Sequence, residues 1–243
     1  MAQLTSRQTE ILKAIIQEFI ETAEPVGSEK LERKFSLGVS PATIRNEMIQ
    51  LTQLGFLKKP HASAGRMPTS MGLKYFVKNL MTPKKLSVAE EVGVKEKVWD
   101  CRRNVDLMLK EATKELSRRT QLMGVATTDK GDLYTYGASN LLDYQEFFDI
   151  DVTKMAISLL DRADFWLKIV ERTFSGNESE PFYLLVGDEL ADFLEPVSFT
   201  YQTYQSGGNR GLIGVVGPYR ARYTDVVPLV DYVAHLISQF GQF

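Results

Sequence analysis

Residues 36–70, SLGVSPATIRNEMIQLTQLGFLKKPHASAGRMPTS, decide the reading of the whole chain. Ser40 followed by Pro41 is a strong helix start. The hydroxyl caps a free backbone N–H, and proline fills the first helical position, where a missing N–H costs nothing. The helix runs to about Leu54, and Gly55 ends it. At about 100° per residue, Ile44, Met48 and Leu51 share one face, with Leu54 at its edge. The opposite face holds Ala42, Thr43, Asn46, Ile49, Gln50 and Gln53, with Arg45 on the flank and Glu47 at one margin. A solvated helix would alternate Lys and Glu there. This face is small, amide-bearing and hydroxyl-bearing instead.

The residues after the helix form two short strands, Phe56–Lys59 and Arg66–Thr69, around a turn at Pro60–Gly65. The tip is made of Ala62, Ser63, Ala64 and Gly65, flanked by Lys58, Lys59, His61 and Arg66. A slim basic hairpin of this kind can lie along a phosphate backbone or enter a minor groove, where Arg is favoured. SMGLKYFVKNL then reads as another helix, with Leu73, Phe76, Val77 and Leu80 inward.

Upstream, residues 6–22 are an amphipathic helix with Ile11, Leu12, Ile15, Ile16, Phe19 and Ile20 on one face and Ser6 as the expected cap. EPVGS breaks it, and Ser28 is the expected cap of a short second helix, SEKLERKF. Three helices on short turns, followed by a hairpin, make a winged helix-turn-helix unit. Its third helix enters a major groove by its N-terminal part. There Asn and Gln can pair with adenine and Arg with guanine. Thr43, Arg45, Asn46 and Gln50 are therefore the candidate base contacts. Ser40, Lys58, Lys59, His61, Ser63 and Arg66 are the candidate phosphate or wing contacts.

Charge agrees. The chain of 243 residues has a net charge of −2, yet residues 1–85 hold 13 Lys/Arg against 7 Asp/Glu, and the remainder 16 against 24. Between Glu47 and Glu90 there are seven Lys/Arg and no acid. One half suits a polyanion and the other does not. The hydrophobic fraction of 44% and charged fraction of 25% are those of a folded soluble protein. No apolar run is long enough for a membrane helix, and the N-terminus lacks a signal-peptide core. A single cysteine, Cys101, forms no intrachain disulfide, so a reducing, intracellular location is expected. With only two histidines, His61 and His235, in different predicted domains, there is no His–Cys or His–Ser–acid constellation, and no catalytic residue, metal site or cofactor is expected. Asp149, Asp151, Asp161 and Asp164 read as a solvated face. The glycines of SGGNRGLIGVVGP read as turn and strand-end positions, since no helix with Lys-Ser/Thr follows them.

PVGSEKLERKFSLGVSPATIRNEMIQLTQLGFLKKPHASAGRMPTSMGLKYFV closely resembles the winged-helix domain of the HrcA family of bacterial heat-inducible transcription repressors. The likeness is carried by VSPATIRNEM, GFLKKPHASAGRMPT and GLKYFV. It extends to YGASNLLDYQEF in the middle and GLIGVVGPYRARYTDVVPLVDYVAHLI at the end. The resemblance implies a homodimeric repressor in the bacterial cytoplasm, associated with the nucleoid. It implies binding to an inverted-repeat operator ahead of chaperone genes and dependence on the GroEL chaperonin. It also implies a GAF-like fold for the second half. Family members are usually longer, with a dimerisation module inserted in the GAF-like part. Here the stretch from Leu142 to Pro181 is short, and most of that insert is missing.

The expected fold class is α+β: a winged helix-turn-helix domain over 1–80, a linker and long helix over 81–119, and a GAF-like α/β sheet domain over 120–243. Val94, Val98, Val105, Met108, Leu109, Ala112 and Leu116 give the long helix its apolar face, either for a coiled dimer contact or for packing on the next domain. Strand-like runs at QLMGVATTD, DLYTYGAS, PFYLLVGDE, VSFTYQTYQ and RGLIGVVGP, with helices over 152–173 and 224–240, give the order β-β-α-β-β-β-α. Two other functions remain open: a regulator gated by a small ligand in the GAF-like domain, and a winged helix used only for protein contact.

Overall fold

A computed structural model of the chain describes residues 4–176, 182–190 and 194–240. The chain folds as two units, Met1–Thr82 and Pro83–Phe243.

In the first unit, α1 (Ser6–Thr22), α2 (Ser28–Lys34) and α3 (Pro41–Gln53) pack around Ile11, Leu12, Ile15, Phe19, Leu31, Ile44 and Leu51, each buried. The cap of α1 is Thr5 rather than Ser6. Its hydroxyl accepts from Gln8 N–H, while the Gln8 amide oxygen accepts from Thr5 N–H, a reciprocal box that Ser6 has no partner to complete. Gly27 occupies the cap position of α2. Ser28 is instead its first helical residue and is buried, so it makes no cap. Ser40 caps α3 as expected, accepting from Thr43 N–H at 3.3 Å.

The hairpin pairs β1 (Leu57–Lys58) with β2 (Met67–Pro68), in the register Leu57 to Pro68 and Lys58 to Met67. A third strand-like segment joins it. Val26 and Arg66 exchange backbone hydrogen bonds of 2.8 and 2.9 Å, pinning the wing to the turn between α1 and α2. Gly65 is required there, because a Cβ would lie 2.4 Å from the Val26 carbonyl oxygen. Thr69 closes the unit. Its hydroxyl donates to Gly55 O at 2.6 Å and caps α4 (Ser70–Tyr75) through Gly72 N–H. The expected helix over 70–80 continues past Tyr75 as a π-helical turn, Phe76–Leu80, which buries Phe76 and Val77.

Glu18 is the buried charge of this unit. Its carboxylate is 2.8 Å from Lys30 Nζ and 2.6 Å from Lys34 Nζ, so α2 is tied to α1 through both lysines. Burial pushes the Glu18 carboxyl up. The two ammonium groups together outweigh this and hold it below its ordinary range. A folded-state pKa below the unfolded value means stability that is present above the unfolded pKa and lost as pH falls through the folded one. Glu18→Gln should therefore flatten the wild-type loss of thermal stability on acidification below about pH 4.5. Melting temperatures of both proteins from pH 3 to 7 check this, and parallel curves would show that Glu18 does not govern the acid limb.

The second unit begins with a correction. The single long helix expected over 90–119 is two helices, α5 (Val88–Asp100) and α6 (Val105–Thr120). Cys101 to Arg103 form a turn, and Asn104 takes an extended conformation in which its side chain accepts from Leu107 N–H at 3.0 Å. That cap starts a new helix and so ends the old one. The helices pack on each other and on α9 (Tyr223–Phe240), which settles their apolar face as packing within this unit. Cys101 is half-buried and ends α5, and burial pushes its thiol up.

A five-stranded antiparallel sheet follows: β3 (Met123–Thr128), β4 (Leu133–Tyr136), β5 (Tyr183–Val186), β6 (Val197–Ser206) and β7 (Asn209–Pro218), in spatial order β4-β3-β7-β6-β5. Counted within this unit that is 2-1-5-4-3, the GAF-like sheet the resemblance implies. The strand expected over 181–189 is β5; Pro181 lies outside the described residues. The helix expected over 152–173 is divided into α7 (Ile150–Ser158) and α8 (Ala163–Ser175) by a 3-10 turn at Leu159–Asp161. Of the four aspartates, Asp149 caps α7 and Asp164 pairs with Arg162.

Both faces of the sheet are covered. Met123, Val125, Phe199, Tyr201 and Val216 meet Trp166, Ile169 and Phe147 from the α7–α8 side in one core. The other face carries Gly124, Ala126, Ser198 and Thr200 alongside Ile213, Val215 and Tyr204, beneath α6 and α9. Gly124 permits that approach: a Cβ would stand 2.2 Å from the Thr113 carbonyl oxygen of α6. Among the described residues no helix is long and apolar enough to cross a membrane.

Candidate nucleic-acid interface

The exposed side of α3 divides into three strips. One turns toward α1. Here Glu47 is 3.7 Å from Arg7, and Gln50 accepts a hydrogen bond from Gln8 Nε2 at 2.8 Å. A second turns toward the wing. Here Arg66 Nε donates to Thr52 Oγ1 at 3.0 Å, so Arg66 holds the hairpin against the end of α3. The ridge between them carries Ala42, Arg45, Asn46, Ile49 and Gln53, all exposed. Among the described residues, Arg45 and Asn46 have no hydrogen-bond or ion-pair partner.

The predicted contacts do not share one environment. Arg45 and Asn46 point outward from the ridge. Thr43 is half-buried, with its hydroxyl 3.0 Å from the Ser40 hydroxyl, so both belong to the cap of α3. Gln50 is exposed but has its amide oxygen engaged by α1. In the wing, Lys59, His61 and Ser63 are exposed, and Lys58 is half-buried. The Lys59 ammonium donates to the Ala62 carbonyl, and Ala64 N–H donates to His61 O at 3.0 Å, which holds the turn. Arg66 is half-buried and serves first as a strut.

Tertiary structure gathers several of these side chains. Arg45, Ile49, Lys59, Ser63 and Arg66 line one open cleft between α3 and the wing, over Gly27 and Ser28. Among the described residues, three cations and no acid border it. Glu47, the one acid of α3, lies on the far side of the helix beside Arg7. Two opposite screening effects are thus separated: the positive field faces outward along the wing, and the negative charge is matched within the fold. Sequence reasoning gave no role to Ile49, which is 40% exposed in the middle of the ridge, where a thymine methyl is the apolar group a duplex offers. It also gave none to Gln8, whose partner is 42 residues away.

Residues 3–81 match the family model described as the winged helix-turn-helix transcription repressor, HrcA DNA-binding domain, and residues 83–227 match the HrcA protein C-terminal domain. The chain belongs to the HrcA family. Among curated relatives, the heat-inducible transcription repressor HrcA of Chloroflexus aggregans is 42% identical over 143 residues, covering 59% of this chain and 38% of that protein. The aligned segment is thus well under two thirds of that relative's own length. The heat-inducible transcription repressor HrcA of Desulforamulus reducens is 27% identical over 339 aligned positions, 98% of this chain and 97% of that protein. With 243 residues here, at least 96 of those positions have no counterpart in this chain, as the short form of the family requires. A crystal structure of a hypothetical protein at 17% identity superposes with a TM-score of 0.72 over 98% of this chain and 97% of that one, so the fold extends to a distant sequence. The α+β class, with a winged helix ahead of a GAF-like sheet domain, holds.

Proposed function

We propose that this family member is a transcriptional repressor that binds an inverted-repeat operator as a homodimer and controls heat-shock chaperone genes in the bacterial cytoplasm, with a GroEL-type chaperonin modulating it. The observation that carries the DNA reading is the cation-lined cleft beside an unpartnered Arg45–Asn46 ridge on a properly capped helix. Asn46 and Arg45 read base edges in the major groove, and Ile49 meets a thymine methyl. Ser40 and Thr43 present the α3 N-terminus to a phosphate. Lys58, Lys59, His61 and Ser63 follow the backbone along the wing. A two-fold protein matches a two-fold site, so each subunit takes one half of the repeat. The relatives named as heat-inducible transcription repressors support the repressor reading, and the operator, the dimer and the chaperonin link are proposed from the resemblance to the family.

The test is a gel-shift titration on a family-type inverted repeat and a scrambled duplex, at two salt concentrations, with and without GroEL. Tight binding confined to the repeat and strengthened by GroEL is expected. Equal binding to both duplexes would reject operator recognition, and binding indifferent to GroEL would reject the chaperonin link. Within the same assay, Lys59→Ala should weaken binding to both duplexes and make the dependence of log K on log salt shallower by about one unit, the signature of one lost phosphate contact. Loss on the repeat alone would reassign Lys59 to base reading.

A further inference from the structure

Gln50 meets its DNA target chiefly as a hydrogen-bond donor, and Gln8 makes it so: we infer this polarity from a relay that runs from the α1 backbone to the face of α3, and it rests on the DNA-binding reading above. Amide groups leave their oxygen and nitrogen ends to be assigned from their partners. Here the first partner admits one assignment. Thr5 N–H can only donate, and it lies 3.1 Å from Gln8 Oε1, so that end of Gln8 is the oxygen. The other end is then the NH2 group, which donates to Gln50 Oε1 at 2.8 Å. Gln50 is left with its own NH2, and among the described residues that nitrogen has no acceptor. Gln8 is only 7% exposed, so turning its amide would face two acceptors together and two donors together with little water to relieve either.

The chemical consequence departs from the usual glutamine code. A free glutamine pairs bidentately with adenine, donating to N7 and accepting from the N6 amine. With one lone pair of its oxygen taken by Gln8 and both amine hydrogens free, Gln50 offers chiefly donors, which suit groups that only accept: guanine O6 and N7, thymine O4, or a phosphate oxygen. Gln8 is a positioning residue in this scheme and does not touch DNA.

The experiment uses the full chain and duplexes that it selects from a randomised inverted-repeat pool. Each position of one half-site is varied through all four bases, and binding is compared for wild type, Gln50→Ala, Gln8→Met and Gln8→Glu. At the position whose discrimination disappears in Gln50→Ala, wild type should favour guanine or thymine over adenine by roughly tenfold. Gln8→Glu replaces the donor by an acceptor that can hold both Thr5 N–H and the Gln50 amine. It should turn the Gln50 oxygen outward and move the preference toward adenine or cytosine. Gln8→Met, which frees Gln50, should move it toward adenine. A merely structural role for Gln8 would lower affinity at every position without moving any preference. If Gln50→Ala weakens binding yet no base position responds, methylphosphonate substitution at successive phosphates decides. Sensitivity lost in Gln50→Ala identifies a phosphate acceptor and keeps the donor assignment. A wild-type preference for adenine at the Gln50 position overturns the inference by itself, as does a profile in which neither bases nor methylphosphonates respond to Gln50→Ala. Failure to select any sequence would reject operator reading instead, and the two failures are told apart at the first step.

Discussion

Replacing Trp166 by alanine is expected to destabilise the sheet domain by about 3–5 kcal/mol, the range for removing a large aromatic from a closed core. Trp166 has no exposed surface. Its ring stands edge-on to Phe165 at 5.1 Å and to Phe199 at 5.2 Å, so it joins α8 to β6. Its Nε1–H donates to the Leu159 carbonyl at 2.7 Å, inside the turn that separates α7 from α8. Alanine removes the packing and the donor together, leaving the Leu159 carbonyl with only the longer bond from Arg162 N–H at 3.3 Å. Trp166→Phe separates the two effects: it keeps most of the ring volume and should cost less, mainly the lost hydrogen bond. Urea unfolding followed by far-UV circular dichroism gives both numbers. A Trp166→Ala loss below about 1.5 kcal/mol would mean that the core collapses around the site and that Trp166 does not organise it.

Asn46→Ala should cost about 1–3 kcal/mol on the cognate operator and little on random duplex. The reasons are its place and its freedom. It lies on the outward ridge of α3, it is exposed, and among the described residues it has no partner, so its amide enters the complex with both a donor and an acceptor to offer. Truncation leaves the facing base edge unpaired without disturbing the helix, because Ile44, Met48 and Leu51 hold α3 from the opposite side. Titrations on both duplexes at one salt concentration make the comparison, and equal losses on the two would remove Asn46 from base reading. The contrast with Lys59→Ala is the informative one: one variant should change specificity, the other the salt slope.

The sequence by itself determined α3, its Ser40 cap, the wing and the five strands. Each of these is written in neighbouring residues. A Ser-Pro start, a glycine stop, and periods of three to four or of two residues act over a few bonds, and no distant partner is needed to decode them. The basic interval between Glu47 and Glu90 was equally legible, because counting needs no geometry. The local signals were misread where two were in competition. The apolar repeat of Val94 to Leu116 runs on as if through one helix, and the Asn104 cap cuts it into two. Ser6 and Ser28 look like caps, but the Thr5–Gln8 box and the burial of Ser28 place the helix starts elsewhere.

Only the tertiary structure decided which candidate side chains are free. Arg66 and Gln50 carry the right chemistry for DNA, and sequence spacing treats them like Arg45 and Asn46. Arg66 is a strut to Thr52, and Gln50 has its oxygen held by α1, because chain segments 14 and 42 residues away arrive beside them. Arg45, Lys59 and Ser63 become one cleft for the same reason: the Val26–Arg66 bridge folds the wing back onto α3. A hydrogen-bonding group has a fixed capacity. What remains of it for a partner is set by long-range contacts that no local pattern encodes.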